Sequence, residues 1–183
     1  YACGLDRSPV APAGQYTPPK SVGNGFTFPR NLQGREEIRG GITQLSDHVA
    51  ARLRLCGMKC QGVSLAIRDP DFHDISRQTR LDAPTYLGRE LARSAMADQC
   101  WSMDRPVRAL TVTAIYLIPA EEAAAQLELW DAPRQHQRER RERLEQAMDA
   151  IRAKYGGRAI QPASAPRNTA STGHDPFPDR EGT

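Results

Sequence analysis

The sequence is short of lysine, of paired cysteines and of long apolar runs, and each shortage removes a class of protein. No stretch approaches the ~20 apolar residues of a membrane-spanning helix. No basic start, apolar core and small-residue cleavage site marks a secretory leader. Of the four cysteines, Cys3, Cys56, Cys60 and Cys100, just two lie close together in sequence. Structural zinc sites present two close pairs, or one pair with spaced histidines. Here His48, His73, His136 and His174 are scattered. No metal site is expected, and the thiols read as reduced groups of a cytoplasmic protein. Lysine is nearly absent, three residues against 22 arginines. Arginine suits bidentate phosphate contact, although a GC-rich genome produces the same bias.

What is present is ordinary for a globular protein with polar extensions: 183 residues, 39% hydrophobic and 26% charged. The net charge of +3 is unevenly spread. Residues 20–118 carry 14 basic and 10 acidic groups, residues 119–133 carry four acids and no base, and residues 134–158 carry eight bases and four acids. A mild local excess permits an anionic partner without demanding one.

Patterning divides the chain. Residues 1–19 are rich in Pro, Gly and Ala and read as a linker or the end of a preceding domain. Lys20 to Phe28 alternates, with Ser21, Gly23, Gly25 and Thr27 on one face and Val22, Asn24, Phe26 and Phe28 on the other. Ile38, Ile42, Leu45, Val49, Leu53 and Cys56 then form one helical stripe. Glu36 and Glu37 in its first turn and Arg52 and Arg54 in its last match the helix dipole, and Gly57 stops it. A second strand runs from Lys59 to Arg68, with Val63, Leu65 and Ile67 on one face. Asp69-Pro70-Asp71 makes a turn, and Ile75 to Leu81 a third strand. Asp82-Ala83-Pro84 predicts the start of a second helix with the stripe Leu87, Leu91 and Ala95. A fourth strand, Val107 to Leu117, closes the domain.

The order is β-α-β-β-α-β. Its economical solution is an α+β fold: a four-stranded sheet over residues 20–118 with two helices on one face. The other face is left small, polar and basic, a candidate binding surface. Residues 119–134 form an acidic linker, and residues 135–160 a charged helical segment. That segment's apolar seam is Leu144, Met148, Ile151 and Tyr155, and this seam is expected to dock on the domain. Residues 161–183 are expected to be disordered. Trp101 and Tyr116 read as packing residues.

The segment KSVGNGFTFPRNL, Lys20 to Leu32, resembles the first strand of the little finger domain of Y-family (translesion) DNA polymerases. RLRLCGMKCQGVSLAIRDPDF (Arg52 to Phe72), ISRQTRL (Ile75 to Leu81) and RALTVTAIYL (Arg108 to Leu117) follow that domain in order. CGLDRSPV, Cys3 to Val10, looks like the last turn of the thumb. LEQAMDAIRAKYGGRAI, Leu144 to Ile160, is similar to the C-terminal segment of the polymerase IV-like branch. Thr111 stands where the family often has glycine. The resemblance implies a domain that lays its sheet on template–primer DNA, gripping phosphates rather than reading bases. It implies contacts from Lys20, Ser21, Gly23, Gly25, Thr27, Arg68, Ser76, Arg77 and Arg80. Parity turns Arg77 inward unless a bulge near Gln78 or an edge position frees it.

Gln126-Leu127-Glu128-Leu129-Trp130 resembles the pentapeptide that binds the β sliding clamp, with Gln126, Leu127, Leu129 and Trp130 as anchors. The alternative is that these apolar residues dock on the chain's own fold. The resemblance also implies what is missing. Two-metal nucleotide transfer needs clustered carboxylates, and in this family they hold magnesium in a palm upstream of the thumb. Asp69, Asp71 and Asp74 read as turn formers. The chain is therefore expected to have no cofactor of its own and to be inactive alone. Its expected partners are DNA, the clamp and the palm, fingers and thumb of the polymerase, with no membrane. The start at Tyr1 suits a piece of a longer DNA-repair polymerase. The alternative is a freestanding, non-catalytic nucleic-acid-binding or clamp-binding module.

Overall fold

The computed structural model of the chain describes residues 18–97, 105–123, 132–157, 159–161 and 176. Seven elements appear in the order β1 (Ser21–Leu32), α1 (Gly34–Leu55), β2 (Met58–Arg68), β3 (Asp74–Thr85), α2 (Gly88–Ala97), β4 (Val107–Pro119) and α3 (Ala132–Tyr155). The four strands form one antiparallel sheet in the order β1-β4-β2-β3. This is the expected α+β architecture, with α1 and α2 packed together on one face of the sheet.

Alternation dictates which side is buried. Val22 pairs with Ala114, Val63 with Ala114, Leu65 with Val112 and Ile67 with Leu110. All of these face the helices and are buried. The stripe of α1 from Ile38 to Leu53 meets them, as do Leu87, Leu91 and Ala95 of the α2 segment. Cys56, the last member of the expected α1 stripe, is exposed. Cys60 lies in the core, where its thiol donates to the Thr85 carbonyl at 3.4 Å and burial pushes it up to about 12. Asn24 is the polar exception on the core face of β1, and its amide lies 3.1 Å from His48 Nδ1.

Two expectations need correcting. The third strand does not stop at Leu81, and no helix starts at Asp82. β3 continues to Thr85 after a register shift that lies between the Arg80–Gly62 and Thr85–Cys60 pairs. β3 is an edge strand, and Pro84 sits within the irregular stretch between those two pairs, where its missing N–H breaks no regular ladder. The helix begins at Gly88 instead, after the Thr85 hydroxyl accepts the Leu87 N–H at 3.1 Å.

The second correction concerns α3. Its apolar seam was expected to dock, yet Leu144 is 59% exposed, Ile151 38% and Tyr155 65%. The docked stripe is polar: Arg138, Glu142, Glu145, Asp149 and Arg152, spaced by four, three, four and three. Arg54 of α1 forms a bidentate pair with Asp149 at 2.5 and 3.0 Å, bonds Glu145, and donates to the Tyr86 carbonyl at 2.9 Å. Glu142 receives Lys59 Nζ at 3.0 Å and the Tyr86 hydroxyl at 3.2 Å. Glu145 also accepts the Gly88 N–H at the start of α2, where the helix dipole favours an anion. Arg138 donates to the Pro84 carbonyl. Arg54, 7% exposed at its side chain, is thus the hub that joins α1 to α3. Hydrogen bonding from Asp149, with the charges of Glu145 and Asp47, outweighs burial and holds its pKa above the usual value. No helix among the described residues is long and apolar enough to cross a membrane.

Burial pushes Asp47 up to about 6, against the lowering influence of Arg152 and Arg54. The folded value lies above the unfolded one, so folding favours the protonated form. Its contribution is complete below about pH 4 and is lost as pH rises through 6. The urea midpoint should therefore fall between pH 5 and pH 8, by a stability difference on the order of 1–2 kcal/mol. Asp47→Asn should flatten the profile. A midpoint that rises over this range would contradict the assignment.

Candidate nucleic-acid interface

The face of the sheet turned away from α1 and α2 is built as four cross-strand rows. Read from β1 through β4 and β2 to β3, they are Ser21–Ile115–Gly62–Arg80, Gly23–Thr113–Ser64–Gln78, Gly25–Thr111–Ala66–Ser76 and Thr27–Ala109–Arg68–Asp74. Most of these side chains are small or hydroxyl-bearing, so the surface is shallow and rich in donors. Eight of the nine DNA-contact candidates are brought to it: Ser21, Gly23, Gly25, Thr27, Arg68, Ser76 and Arg80 within the rows, and exposed Lys20 just before β1.

Arg77 is the ninth. It pairs with Leu65, a core-facing residue, and therefore lies on the helix side of β3. The ladder is regular from Asp74 through Arg80, so no bulge at Gln78 turns it. β3 is the sheet edge, however, and the Arg77 side chain is exposed, curling back to donate to the Ser76 carbonyl at 3.0 Å.

Charge on the open face is less free than a count of arginines implies. Arg68 makes a bidentate pair with Asp74 at 2.7 Å in both contacts. Both groups are exposed, and such a pair is easily exchanged for another anion. The pairing holds the Asp74 carboxyl below its usual value. Arg80 makes no ion pair among the described residues. Its guanidinium lies 5.8 Å from the centroid of Tyr116.

Tyr116 was read as a packing residue, and this needs correcting. It is 56% exposed, and its backbone takes φ 55. That conformation costs a non-glycine residue roughly 1–3 kcal/mol. It turns the ring out of strict alternation and onto the open face, where it lies against Gly62: a Cβ at Gly62 would meet Tyr116 Cδ2 at 3.0 Å. Nothing in the local sequence signals a positive φ at this tyrosine.

The glycines of β1 also have a cause that sequence alone did not supply. A Cβ on Gly23 would lie 2.8 Å from Thr113 Oγ1, and one on Gly25 2.5 Å from Thr111 Oγ1. The threonines of β4 lean over the glycines of β1, and these close approaches require glycine whether or not a ligand is bound. Arg52 reinforces the strand from behind, donating to the Gly23 carbonyl at 2.7 Å.

At the end of the β2–β3 hairpin, Asp69, Asp71 and His73 bring ligand-type atoms within 4.8 Å of one another. Asp69 is already engaged: it accepts the His73 N–H at 2.9 Å and lies 3.1 Å from His73 Nδ1. That geometry closes the turn in which Phe72 takes φ 65, so Asp69 acts as the expected turn former, whereas Asp74 is the first residue of β3 and pairs with Arg68. Gln126, Leu127, Leu129, Trp130 and Trp101 lie outside the described residues.

Two helices cover one face of a four-stranded antiparallel sheet, and the other face is open, hydroxyl-rich and arginine-edged. These features are those of a domain of the little finger class. Residues 19–129 match the impB/mucB/samB family C-terminal domain. Over 158 residues, 85% of its length, the chain is 34% identical to the DNA polymerase IV of Acetivibrio thermocellus, covering 39% of that protein. It is 34% identical over 164 residues to the DNA polymerase IV of Moorella thermoacetica, with 88% of this chain and 39% of that one covered. It is 29% identical over 162 residues to DNA polymerase IV 1 of Bacillus subtilis, with 87% and 38% covered. The chain belongs to the impB/mucB/samB family of Y-family polymerases, in the DNA polymerase IV-like branch. It spans about two fifths of the length of these curated relatives.

The β1–β4 contact is testable apart from any ligand. Threonine is stiff at χ1, so Gly25→Ala should destabilise the domain by about 1–3 kcal/mol through overpacking. Adding Thr111→Ala, which removes the Oγ1, should recover part of that loss in chemical denaturation. A neutral Gly25→Ala would show that Thr111 simply rotates away.

Proposed function

We propose that this chain is the DNA-gripping part of a translesion polymerase, holding damaged template–primer DNA for a catalytic part located elsewhere. The observation that carries this reading is the open sheet face. Its small residues let a duplex backbone approach closely, its hydroxyls and edge arginines can donate to phosphate oxygens, and the whole hydrophobic core lies on the other side. Such contacts position a duplex without reading its sequence, which suits a protein that must accept distorted template. Phosphate oxygens would compete with Asp74 for Arg68, and Arg80 is already directed by Tyr116. Arg77 would reach a backbone passing the β3 edge rather than one lying on the face.

Filter binding of a short duplex should weaken steeply with salt, since each neutralised phosphate releases counterions. Arg80→Glu should lower affinity by about tenfold and flatten the salt slope, with a smaller effect from Arg77→Glu. Affinity that stays constant between low and moderate salt would exclude phosphate-dominated binding.

The same reading gives the acidic linker a tether. Gln126 would anchor by hydrogen bonds while Leu129 and Trp130 fill apolar pockets of a β sliding clamp, the arrangement by which aromatic anchors dominate small interfaces. A Gln126→Ala/Trp130→Ala variant should lose clamp pull-down while keeping duplex affinity. Full retention of the clamp would remove this half of the proposal.

A further inference from the structure

We propose that the groove between α1, α2 and α3, on the helical side of the domain, docks an acidic amphipathic segment of a partner protein. The inference does not rest on DNA binding, because the groove lies across the sheet from the open face and shares none of its residues. Its volume is about 1050 Å³, above the ~300–1,000 Å³ of ordinary small-molecule sites.

Two kinds of side chain line it. Leu87, Ala92 and Met96, from α2 and its approach, give one apolar wall, and Leu144 and Met148 of α3 the other. These α3 residues belong to the seam that does not dock on the domain. Methionines suit a surface that must adapt to what it binds. The second component is arginine. Arg35 and Arg39 come from the first half of α1, Arg89 and Arg93 from α2, and Arg141 from α3. The first two pairs are each spaced by four, so their guanidiniums stand on successive turns of one helix face.

These five arginines differ from those that hold the fold together. Arg54 and Arg152 also line the groove, but both are engaged with Asp149 of α3. No ion pair or hydrogen bond joins the guanidinium of any of the five to a described residue; Thr43 Oγ1 donates at 2.8 Å to the backbone carbonyl of Arg39. The groove's own acids do not answer them. Glu145 is bound by Arg54, Glu90 pairs with Arg138, and Asp47 lies in the field of Arg152 and Arg54. Among the described residues of the lining, seven arginines face three carboxylates, with Asp149 answering Arg54 and Arg152 from α3, so an excess of positive charge surrounds an apolar floor.

That combination selects the occupant. A nucleic-acid backbone would use the arginines and gain nothing from leucine and thioether walls. An amphipathic helix uses both, with apolar side chains at i, i+3, i+4 and i+7 on the floor and carboxylates taking bidentate contacts from the rim.

The test is fluorescence anisotropy on the 183-residue chain. The probe is a labelled peptide of about four helical turns with leucines on one face and glutamates on the other. The same peptide with lysine for glutamate, and a duplex oligonucleotide, serve as comparisons. The glutamate peptide should bind and the lysine peptide should not. Arg89→Glu/Arg93→Glu, at exposed positions on α2, should weaken the glutamate peptide by about tenfold or more and leave duplex affinity unchanged. Arg35→Glu/Arg39→Glu should produce the same loss from a different helix, which guards against a local folding defect. Absence of peptide binding overturns the proposal, as does peptide affinity unchanged from that of the unmutated chain in both double variants. A larger loss for the duplex than for the peptide would show that the groove serves nucleic acid, and overturns it too.

Discussion

β2 and β4 pair from Met58–Pro119 to Arg68–Ala109 without a register shift, and the rest of the domain is arranged around that ladder. Because successive residues on a strand point to opposite sides, one fixed register sends Val63, Leu65, Ile67, Leu110, Val112 and Ala114 into the core together. The same register leaves Ser64, Ala66, Arg68, Thr111 and Thr113 on the open face. A slip of one residue would exchange the two sets and bury the hydroxyls and Arg68 under the helices. The open face is therefore the complement of the core, fixed by the same hydrogen bonds. Its shallow shape follows from the residues that the central strands present there, and from glycines on β1 that leave room for the threonines of β4.

The helical side depends on a different kind of contact. α1 and α2 are held by apolar stripes, but α3 is held by charge. Arg54 sits at the crossing, engaging Glu145 and Asp149 while its Nη1 also donates to the Tyr86 carbonyl. A buried guanidinium is costly unless its donors are satisfied, and here several acceptors converge on it. Attaching a helix through its polar stripe leaves its apolar seam outward. Leu144 and Met148 then become walls of a groove rather than part of a core. The two faces of the domain thus offer different chemistry. The sheet presents hydroxyls and an edge arginine, and the helices present leucine and methionine beneath arginines that have no ion-pair partner among the described residues.

Much of the candidate interface was legible because strands make it so. The alternation of Ser21, Gly23, Gly25 and Thr27 placed those residues on one face before any coordinates, and their partners on β2 and β4 follow the same parity. Arg77 shows where that reasoning is strong, since its parity put it on the helix side and the ladder keeps it there. Tyr116 shows where it fails. It was read as a packing residue, but a positive φ turns its ring onto the open face, and no local residue pattern encodes that. The extension of β3 past Leu81 was obscured because Asp82-Ala83-Pro84 resembles a helix start. An edge strand tolerates that proline where a central strand would not. The partial neutralisation of Arg68 by Asp74 was hidden too, since the pair forms across a hairpin that brings strand ends together.

The sequence by itself determined the number and order of elements, the core stripe of α1 and the parity of the strands. These are periodic properties of consecutive residues, set by 3.6 residues per helical turn and two per strand repeat. The tertiary structure alone decided which face of α3 is buried, and which arginines find a partner among the described residues. Helical periodicity states which residues share a face. It does not state whether an apolar seam or a charged stripe will win the contact. That depends on what the neighbouring helix presents, and here α1 presents Arg54.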